Sequence, residues 1–453
     1  DMYSELYEKS GSDIIQELGK RYSDYRKRMG YTQKEVAEKS GLSVFTISSF
    51  ENGSSTGITM ASFVKLLRSI DSLEEIEKLL PELPVSPREV FKKQSKKYDM
   101  ETNAVKVKLW GMDVGYLSWD KKLGVAVFEY EPSFLEQGLD IAPLTMSVNS
   151  PRSQKQLPWT GDKDKLYQGL PSMISDSLPD KWGNSLFRAW LRDNNIPAKQ
   201  TSPVDHLSFI GSRAMGALEY EPAQKLGDNA AFSVDVQRLY EFAKQVLNER
   251  EATVLNQENS ILWQDLVKIS SSPGGKRPKA IVALNDATGE VISGQGVIPE
   301  GFQHYILKYD DNSAYPFAKL EYVYYRMALD AGIDMMPSEL HTSENITHFL
   351  TRRFDRIGNE KVHTQTLAAM SPSSDSYEDI FAVIRRLNLP YEDSKQQYLR
   401  MVFNIIARNV DDHSKNFSFC MNRDGVWRLS SAYDLTYSVD LTAPAYSNRH
   451  SLT

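Results

Sequence analysis

The stretch Asn409-Val410-Asp411-Asp412-His413-Ser414-Lys415-Asn416 decides how the chain is read. Moving a phosphoryl group onto a hydroxyl requires a carboxylate that orients the attacking oxygen and accepts its proton, and oxygen ligands that hold magnesium against the phosphates. Asp411 suits the first task and Asn416 the second, five positions apart. Asp434, in Ala432-Tyr433-Asp434-Leu435-Thr436, follows 18 residues after Asn416 and offers a second oxygen ligand. The loop also admits a rival chemistry. Asp411, Asp412 and His413 carry the oxygen and nitrogen donors of a hydrolytic metal site, although no second His-rich element stands at a strand or helix end to complete it.

Phosphoryl transfer needs a cradle for the donor upstream, and ISSSPGGKRPKAIVAL at 269–284 supplies a Ser/Gly loop leading into a strand. It is not a Walker A motif, which would put Gly at 270 and Ser or Thr at 277, where Ser270 and Arg277 stand. Gly274 and Gly275 lack a Cβ, so their N–H groups can approach a phosphate closely. Lys279 heads the strand, and Lys308 in HYILKYD is the candidate cation for the α- and β-phosphates of ATP, with Glu321 on the following helix as its ion-pair partner. Phe354 in THFLTRRFDR is placed to pack on an adenine. The Asp411-x-x-x-x-Asn416 spacing matches that of the protein-kinase catalytic loop, with Asn409-Val410 in place of the usual His-Arg. Asp434 is sited like the magnesium-binding Asp of a kinase, but has Tyr before it and no Gly after it.

The 453 residues hold 53 Lys+Arg against 60 Asp+Glu, with 41% hydrophobic and 25% charged, which excludes a disordered, collagen-like or disulfide-scaffold chain and predicts two to four domains. The single cysteine, Cys420, cannot form an internal disulfide, consistent with a reducing cytoplasm. There is no apolar run of membrane-spanning length, and acidic residues stand where a signal peptide needs a basic start; no membrane contact is expected. The net charge of −7 is unevenly spread: residues 1–98 carry +1 and the remainder −8.

That first segment reads as short helices: an amphipathic run to Arg28, then Thr32–Ser40, Ser43–Phe50, Thr59–Ser69 and Leu73–Leu80. In GYTQKEVAEKSGLSVFTISSFENG, Thr32 caps one helix with Glu35 three residues on, and Gly41 ends it. Ser43 caps the next helix, with Ile47 and Phe50 inward. A helix, a tight glycine turn and a second capped helix form a helix-turn-helix, whose second helix can enter a major groove. Ser43, Val44, Phe45, Thr46 and Ser48 are the candidate DNA-reading residues, with Gln33 at the start of the first helix; Lys20, Arg21, Arg26, Lys27, Arg28, Lys34 and Lys39 are candidate phosphate contacts. The string resembles the Cro/repressor (HipB-like) type of domain, including the closing Phe50-Glu51-Asn52-Gly53. That resemblance implies operator DNA as a partner and a homodimer as the working form.

The expected organisation is an all-α helix-turn-helix bundle over 1–82 and an exposed connector over 83–103, set in the stretch PELPVSPREVFKKQSKKYDMETN at 81–103, whose three prolines, four lysines and lack of apolar periodicity suggest no packed element. A mixed α/β part follows over 104–225, then a part with the phosphate loop over 226–360 and one with the catalytic loop over 361–453. No internal repeat or low-complexity tract is present.

Residues from about 105 onward resemble the HipA-type serine/threonine kinases of bacterial toxin–antitoxin systems, in the order DSLPDKWG, GALEYEP, SSPGGKRPK, HYILK, FLTRRFDR, NVDDHSKNFS and LSSAYDL. The resemblance implies a two-lobed, protein-kinase-like α/β fold that uses ATP and Mg2+. It makes Asp411 the catalytic base, Asn416 and Asp434 magnesium ligands and Lys308 a phosphate contact, with His413 and Lys415 in the same loop and Lys415 steadying the γ-phosphate. Ser272 takes the place of an autophosphorylated phosphate-loop serine, with Ser270 and Ser271 as rival acceptors, and the substrate class implied is a translation factor, notably an aminoacyl-tRNA synthetase. Arg352 stands where some relatives carry a Glu near the adenine. Only 19 residues follow Asp434, whereas a member of that family is expected to continue with further helices. The alternative reading is a transcriptional regulator whose HipA-like part is a catalytically inactive ligand-binding or dimerising module.

Overall fold

The computed structural model describes residues 9–79, 83–94, 103–179, 181–224, 232–247, 265–267, 269–270, 277–310, 315–343, 345–438 and 449–452. The chain forms two compact units, Asp1–Leu83 and Pro84–Thr453.

The first unit comprises α1 (Gly11–Arg28), α2 (Gln33–Ser40), α3 (Val44–Glu51), α4 (Met60–Ser69) and α5 (Glu75–Leu79). Side-chain caps set where these helices begin. Ser10 with Asp13 and Thr32 with Glu35 close reciprocal capping boxes, while Ser43 and Thr59 each accept from the amide three residues on. Gly41, left-handed at φ 68°, stops α2 and turns the chain into α3. Tyr22, Val36, Ile47, Phe50, Phe63, Leu66, Leu67 and Ile70 form the core. Beneath it the Glu51 carboxylate is buried and accepts from Arg26 Nε at 2.5 Å, Ser23 Oγ at 3.0 Å and Gln33 Nε2 at 2.8 Å. Burial pushes the Glu51 pKa up, but bonds from Arg26, Gln33 and Ser23 outweigh it and hold the group below the usual range. Helices α1 and α3 cross at Gly19, where a methyl would stand 2.0 Å from the Phe50 carbonyl oxygen. Gly19→Ala is therefore expected to lower the stability of this unit by about 1–3 kcal/mol through overpacking, despite alanine's better helix propensity. Thermal melting checks this, and an unchanged or raised midpoint contradicts it.

The second unit opens with α6 (Pro87–Gln94). This corrects the expected connector: Phe91 lies against Tyr116 with ring centroids 5.3 Å apart, Arg88 pairs with Glu131 at 3.2 Å, and Ser86 Oγ donates to Glu129 at 2.5 Å. Ser86-Pro87 is a helix-start signature, masked in the sequence by the lysines around one short apolar face. An antiparallel sheet follows in the order β4-β3-β2-β1-β5, from β1 (Ala104–Leu109), β2 (Met112–Asp120), β3 (Val125–Tyr130), β4 (Trp159–Thr160) and β5 (Leu218–Glu221). In β1, Val105, Val107 and Leu109 are buried while Lys106 and Lys108 form ion pairs with Asp113 and Glu221. Helices α7 (Lys181–Asp193) and α8 (Pro203–Ile210) lie between β4 and β5 in sequence, and α9 (Val236–Leu247) follows β5.

A second antiparallel sheet runs β7-β6-β8-β10-β9, from β6 (Lys279–Asn285), β7 (Val291–Ser293), β8 (Phe302–Lys308), β9 (Ser338–Ser343) and β10 (Ile346–Arg352), with α10 (Phe317–Asp330) connecting β8 to β9. The interior of β6 is buried on both faces, as its unbroken apolar run Ala280–Leu284 requires. The hairpin β11 (Arg356–Ile357) and β12 (Glu360–Lys361) leads to a third sheet of β13 (His363–Thr366), β14 (Ser418–Met421) and β15 (Trp427–Leu429). Helices α11 (Tyr377–Arg386) and α12 (Tyr391–Ile406) fall between β13 and β14 in sequence. One apolar core extends through both large sheets. Asp355 ties their parts together, bonding Arg353, Arg356 at 2.8 Å and the Gly216 amide at 2.7 Å, and its pKa is held far below the usual range by both guanidiniums against the cost of burial.

Candidate functional site

Lys308 ends β8, and its partner across β6 is Lys279, so both side chains leave the sheet on the same face. Glu321 is carried by α10. Lys308 Nζ bonds both Glu321 and Asp434, with side chains 15%, 13% and 33% exposed respectively. Burial works against the Lys308 ammonium, but the Asp434 and Glu321 carboxylates raise its pKa above the lysine range. Burial likewise opposes ionisation of Asp434, and the charges of Lys308, Lys279 and His413 overcome it, holding that carboxyl well below its usual range. Asp434 adopts φ 53°, a left-handed conformation costing about 1 kcal/mol for a side-chain-bearing residue.

The loop after α12 is anchored beside Asp434 through its asparagines and backbone. Asn409 is buried; its Nδ2 donates to Asn404 Oδ1 at 3.0 Å and to the Asp434 carbonyl at 3.4 Å, and its Oδ1 accepts from Ser438 Oγ at 3.1 Å. Asp411 has an exposed side chain while its amide donates to Ser438 Oγ at 3.0 Å. A 3-10 turn over Ser414–Asn416 brings Asn416 Nδ2 back to the Asp411 carbonyl at 2.7 Å. Tyr433 OH donates to the Lys415 carbonyl at 2.8 Å, so the segment bearing Asp434 grips the loop at two points. The structure thus brings Lys308, Glu321 and Asp434 into one ion-paired group, with Lys279 beside Lys308 on the same sheet face, and hangs the loop with Asp411 and Asn416 from the Asp434 backbone.

Other predicted residues are placed differently. Asp412, a donor in the rival metal reading, is fully buried and accepts from Tyr377 OH at 2.5 Å, His450 Nδ1 at 2.8 Å and the Ser451 amide at 2.7 Å, which corrects its assignment as a metal ligand. Phe354 stacks on Tyr433 with centroids 5.3 Å apart and planes 26° apart; Tyr433 was not singled out in the sequence, although its place beside Asp434 was the available signal. Ser270 is wholly buried, so its hydroxyl is not accessible to a phosphoryl donor in this conformation. Ser271, Ser272, Gly274 and Gly275 lie outside the described residues.

In the first unit, Phe45 and Val44 are exposed at the start of α3, at 81% and 44%. Ser43 Oγ lies 2.8 Å from Thr46 Oγ1 and caps the helix, and Ser48 is half-buried. Gln33 donates to Glu51. Arg26 is buried on Glu51, which corrects its expected phosphate contact: the ion pair consumes its guanidinium. Lys20, Arg21, Lys27, Arg28, Lys34 and Lys39 are exposed, with Arg21 paired to Glu17 and Lys39 3.7 Å above the Tyr31 ring.

Comparison with known proteins agrees with both units. Residues 105–221 match the HipA N-terminal domain, 271–452 the HipA-like C-terminal domain, and 23–76 the helix-turn-helix family. A protein of Sinorhizobium fredii (strain NBRC 101917 / NGR234) named "Putative kinase Y4mE" is 24% identical over 130 residues, covering 25% of this chain; the chain spans 31% of the length of that curated relative. A solved Shewanella oneidensis MR-1 toxin–antitoxin complex of HipA, HipB and its operator DNA contains a chain of similar fold, with TM-score 0.51, 16% identity and coverage of 74% of this chain and 76% of that one. The chain is HipA-like, with a helix-turn-helix domain fused ahead of both HipA domains.

Proposed function

We propose that the chain is an ATP- and magnesium-dependent serine/threonine protein kinase that binds operator DNA through its N-terminal unit. The observation that carries the reading is Lys308 held between Glu321 and Asp434 at the end of β8, with the 409–416 loop hung from the Asp434 backbone. A lysine held between two carboxylates, with a second lysine on the same sheet face and an exposed aspartate on the adjoining loop, is the kind of perturbed ionisable cluster that functional sites build. The donor set suits magnesium: the Asp434 carboxylate and the Asn416 amide oxygen are hard oxygen ligands, few in number, as an ion that keeps its waters and shares phosphates requires. When bound, magnesium neutralises charge on the phosphates of ATP. The chain's own residues do the rest. Lys308 and Lys279 give a cationic face for the donor phosphates, and Glu321 fixes the direction of the Lys308 ammonium. The Asp411 carboxylate accepts the proton of the incoming hydroxyl at its exposed oxygen, and Lys415 steadies the transferred group. Ser272 is the proposed self-modified residue, where added phosphate charge would repel the donor. The substrate class is a translation factor such as an aminoacyl-tRNA synthetase, and a homodimer is the proposed DNA-bound form.

Incubating the purified chain and a cell extract with γ-labelled ATP and magnesium tests this reading. Asp411→Ala should reduce label incorporation by about 10²–10⁴-fold. Equal labelling by the variant, or no labelling by the wild type, contradicts it.

A further inference from the structure

Helix α3 carries an unusual surface for a DNA-reading element. Its sequence, VFTISSFE, holds no Arg, Lys, Asn or Gln, and its one charged residue, Glu51, is buried on Arg26. Direct recognition of guanine in the major groove relies on Arg or Lys, and of adenine on Asn or Gln; α3 itself carries none of them. Gln33, at the start of α2, already donates to Glu51, and Asn52, beyond the far end of α3, accepts from the Ser54 amide. What the helix offers outward is apolar. Phe45 is 81% exposed and Val44 44% exposed, at the first two positions after the Ser43 cap. Those are the positions that reach base edges when a helix of this kind enters the groove by its N-terminal end. Leaving a phenylalanine in water gains nothing for the fold, since the core of this unit closes without it. In the major groove, thymine alone of the four bases presents an apolar group, its C5-methyl.

We infer that this chain reads thymine methyl groups through Phe45, with Val44 beside it, so that its operator half-sites are specified by thymine positions rather than by guanine contacts. The inference rests on the DNA-binding reading above and deepens it. The hydroxyls of Thr46 and Ser48, on the same short helix, are tolerant partners that can accompany a methyl contact without selecting a base. Exposed lysines and arginines of α1 and α2 supply the positioning contacts to phosphate.

The test uses full-length protein and duplexes selected from a randomised library. Selected half-sites should hold thymine at one or two fixed positions. Replacing those thymines with uracil removes only the methyl group and should weaken wild-type binding by about three- to tenfold. Phe45→Ala, which deletes an exposed side chain and leaves the core intact, should bind thymine and uracil duplexes equally. A wild-type chain indifferent to uracil, or a Phe45→Ala variant that still distinguishes the two duplexes, overturns the inference while leaving DNA binding standing. Loss of a dimer in Phe45→Ala, measured by sedimentation without DNA, overturns it in favour of a contact with a second copy. Failure to select any duplex at low salt overturns both the inference and the reading it rests on.

Discussion

Asp412→Ala is expected to destabilise the second unit by about 3–5 kcal/mol, the range for deleting one member of a buried, hydrogen-bonded charged group. The Asp412 carboxylate lies inside the protein at the meeting point of three segments: α11 through Tyr377, the backbone of the 409–416 loop, and residues 450–451 through His450 and the Ser451 amide. Asn404 of α12 donates to the same Tyr377 hydroxyl at 3.0 Å and joins Asn409 at the head of the loop. Alanine would strand the Tyr377 hydroxyl and the Ser451 amide without their acceptor, each costing about 1–3 kcal/mol. Asp412→Asn, which keeps an acceptor oxygen, should lose less. The neighbouring Asp411→Ala removes an exposed side chain and should stay within about 0.5 kcal/mol of wild type. Chemical denaturation of the three variants checks the contrast; equal stability of Asp412→Ala and Asp411→Ala refutes it. Both alanine variants should lose phosphate incorporation, one by melting the seat of the loop and the other by losing the proposed base.

Lys308→Met is expected to abolish phosphoryl transfer and to cost about 2–4 kcal/mol of stability at pH 8. Without the ammonium, the Glu321 and Asp434 carboxylates lose their shared partner in a largely buried space, and the charges of Lys279 and His413 remain to act on Asp434. The pH dependence then changes sign. In the wild type, the depressed pKa of Asp434 contributes stability above the unfolded-state value near 4 that is lost only as pH falls through the still lower folded value. The raised pKa of Lys308 contributes stability below the unfolded value near 10.4 that is lost only as pH rises above it. Between those limits the pair contributes a constant amount. In the variant, burial acts on the carboxylates with far less opposing charge, and a carboxyl whose folded pKa is raised gains stability as pH falls through that value. The gap between wild type and variant should therefore narrow from pH 8 to pH 5. Measuring the gap as a difference matters, because buried His304 and His348, both pushed down to about 4 with burial as the largest cause, weaken the wild type itself as pH falls below the unfolded histidine value near 6.5. A gap independent of pH contradicts this account.

Local signals were the most legible part of the sequence. Thr32 with Glu35, Ser43 and Gly41 each act within a turn of helix, so their meaning survives without knowledge of the fold. The Lys308–Glu321 pairing was also readable, because a strand lysine that serves donor phosphates is paired, in kinase logic, with a glutamate on the next helix. What stayed hidden depends on long-range closure. Asp412 looks identical to Asp411 in a string of letters, and only the folding of α11 and residues 449–452 around the loop makes one a buried acceptor and the other an exposed carboxylate. Arg26 reads as one more cation in a basic run until Glu51, 25 residues later, draws it inward. The helix over Pro87–Gln94 was concealed for a similar reason: its stability comes from Tyr116 in the sheet it covers and Glu131 just after β3, not from its own periodicity.

The most direct measurement is equilibrium binding of ATP to the full chain, with and without magnesium, for wild type and Asp434→Asn. The account predicts binding that magnesium strengthens in the wild type, and loss of that magnesium effect in Asp434→Asn while the fold is retained. ATP affinity indifferent to magnesium in the wild type, or a magnesium effect of equal size in Asp434→Asn, would contradict it.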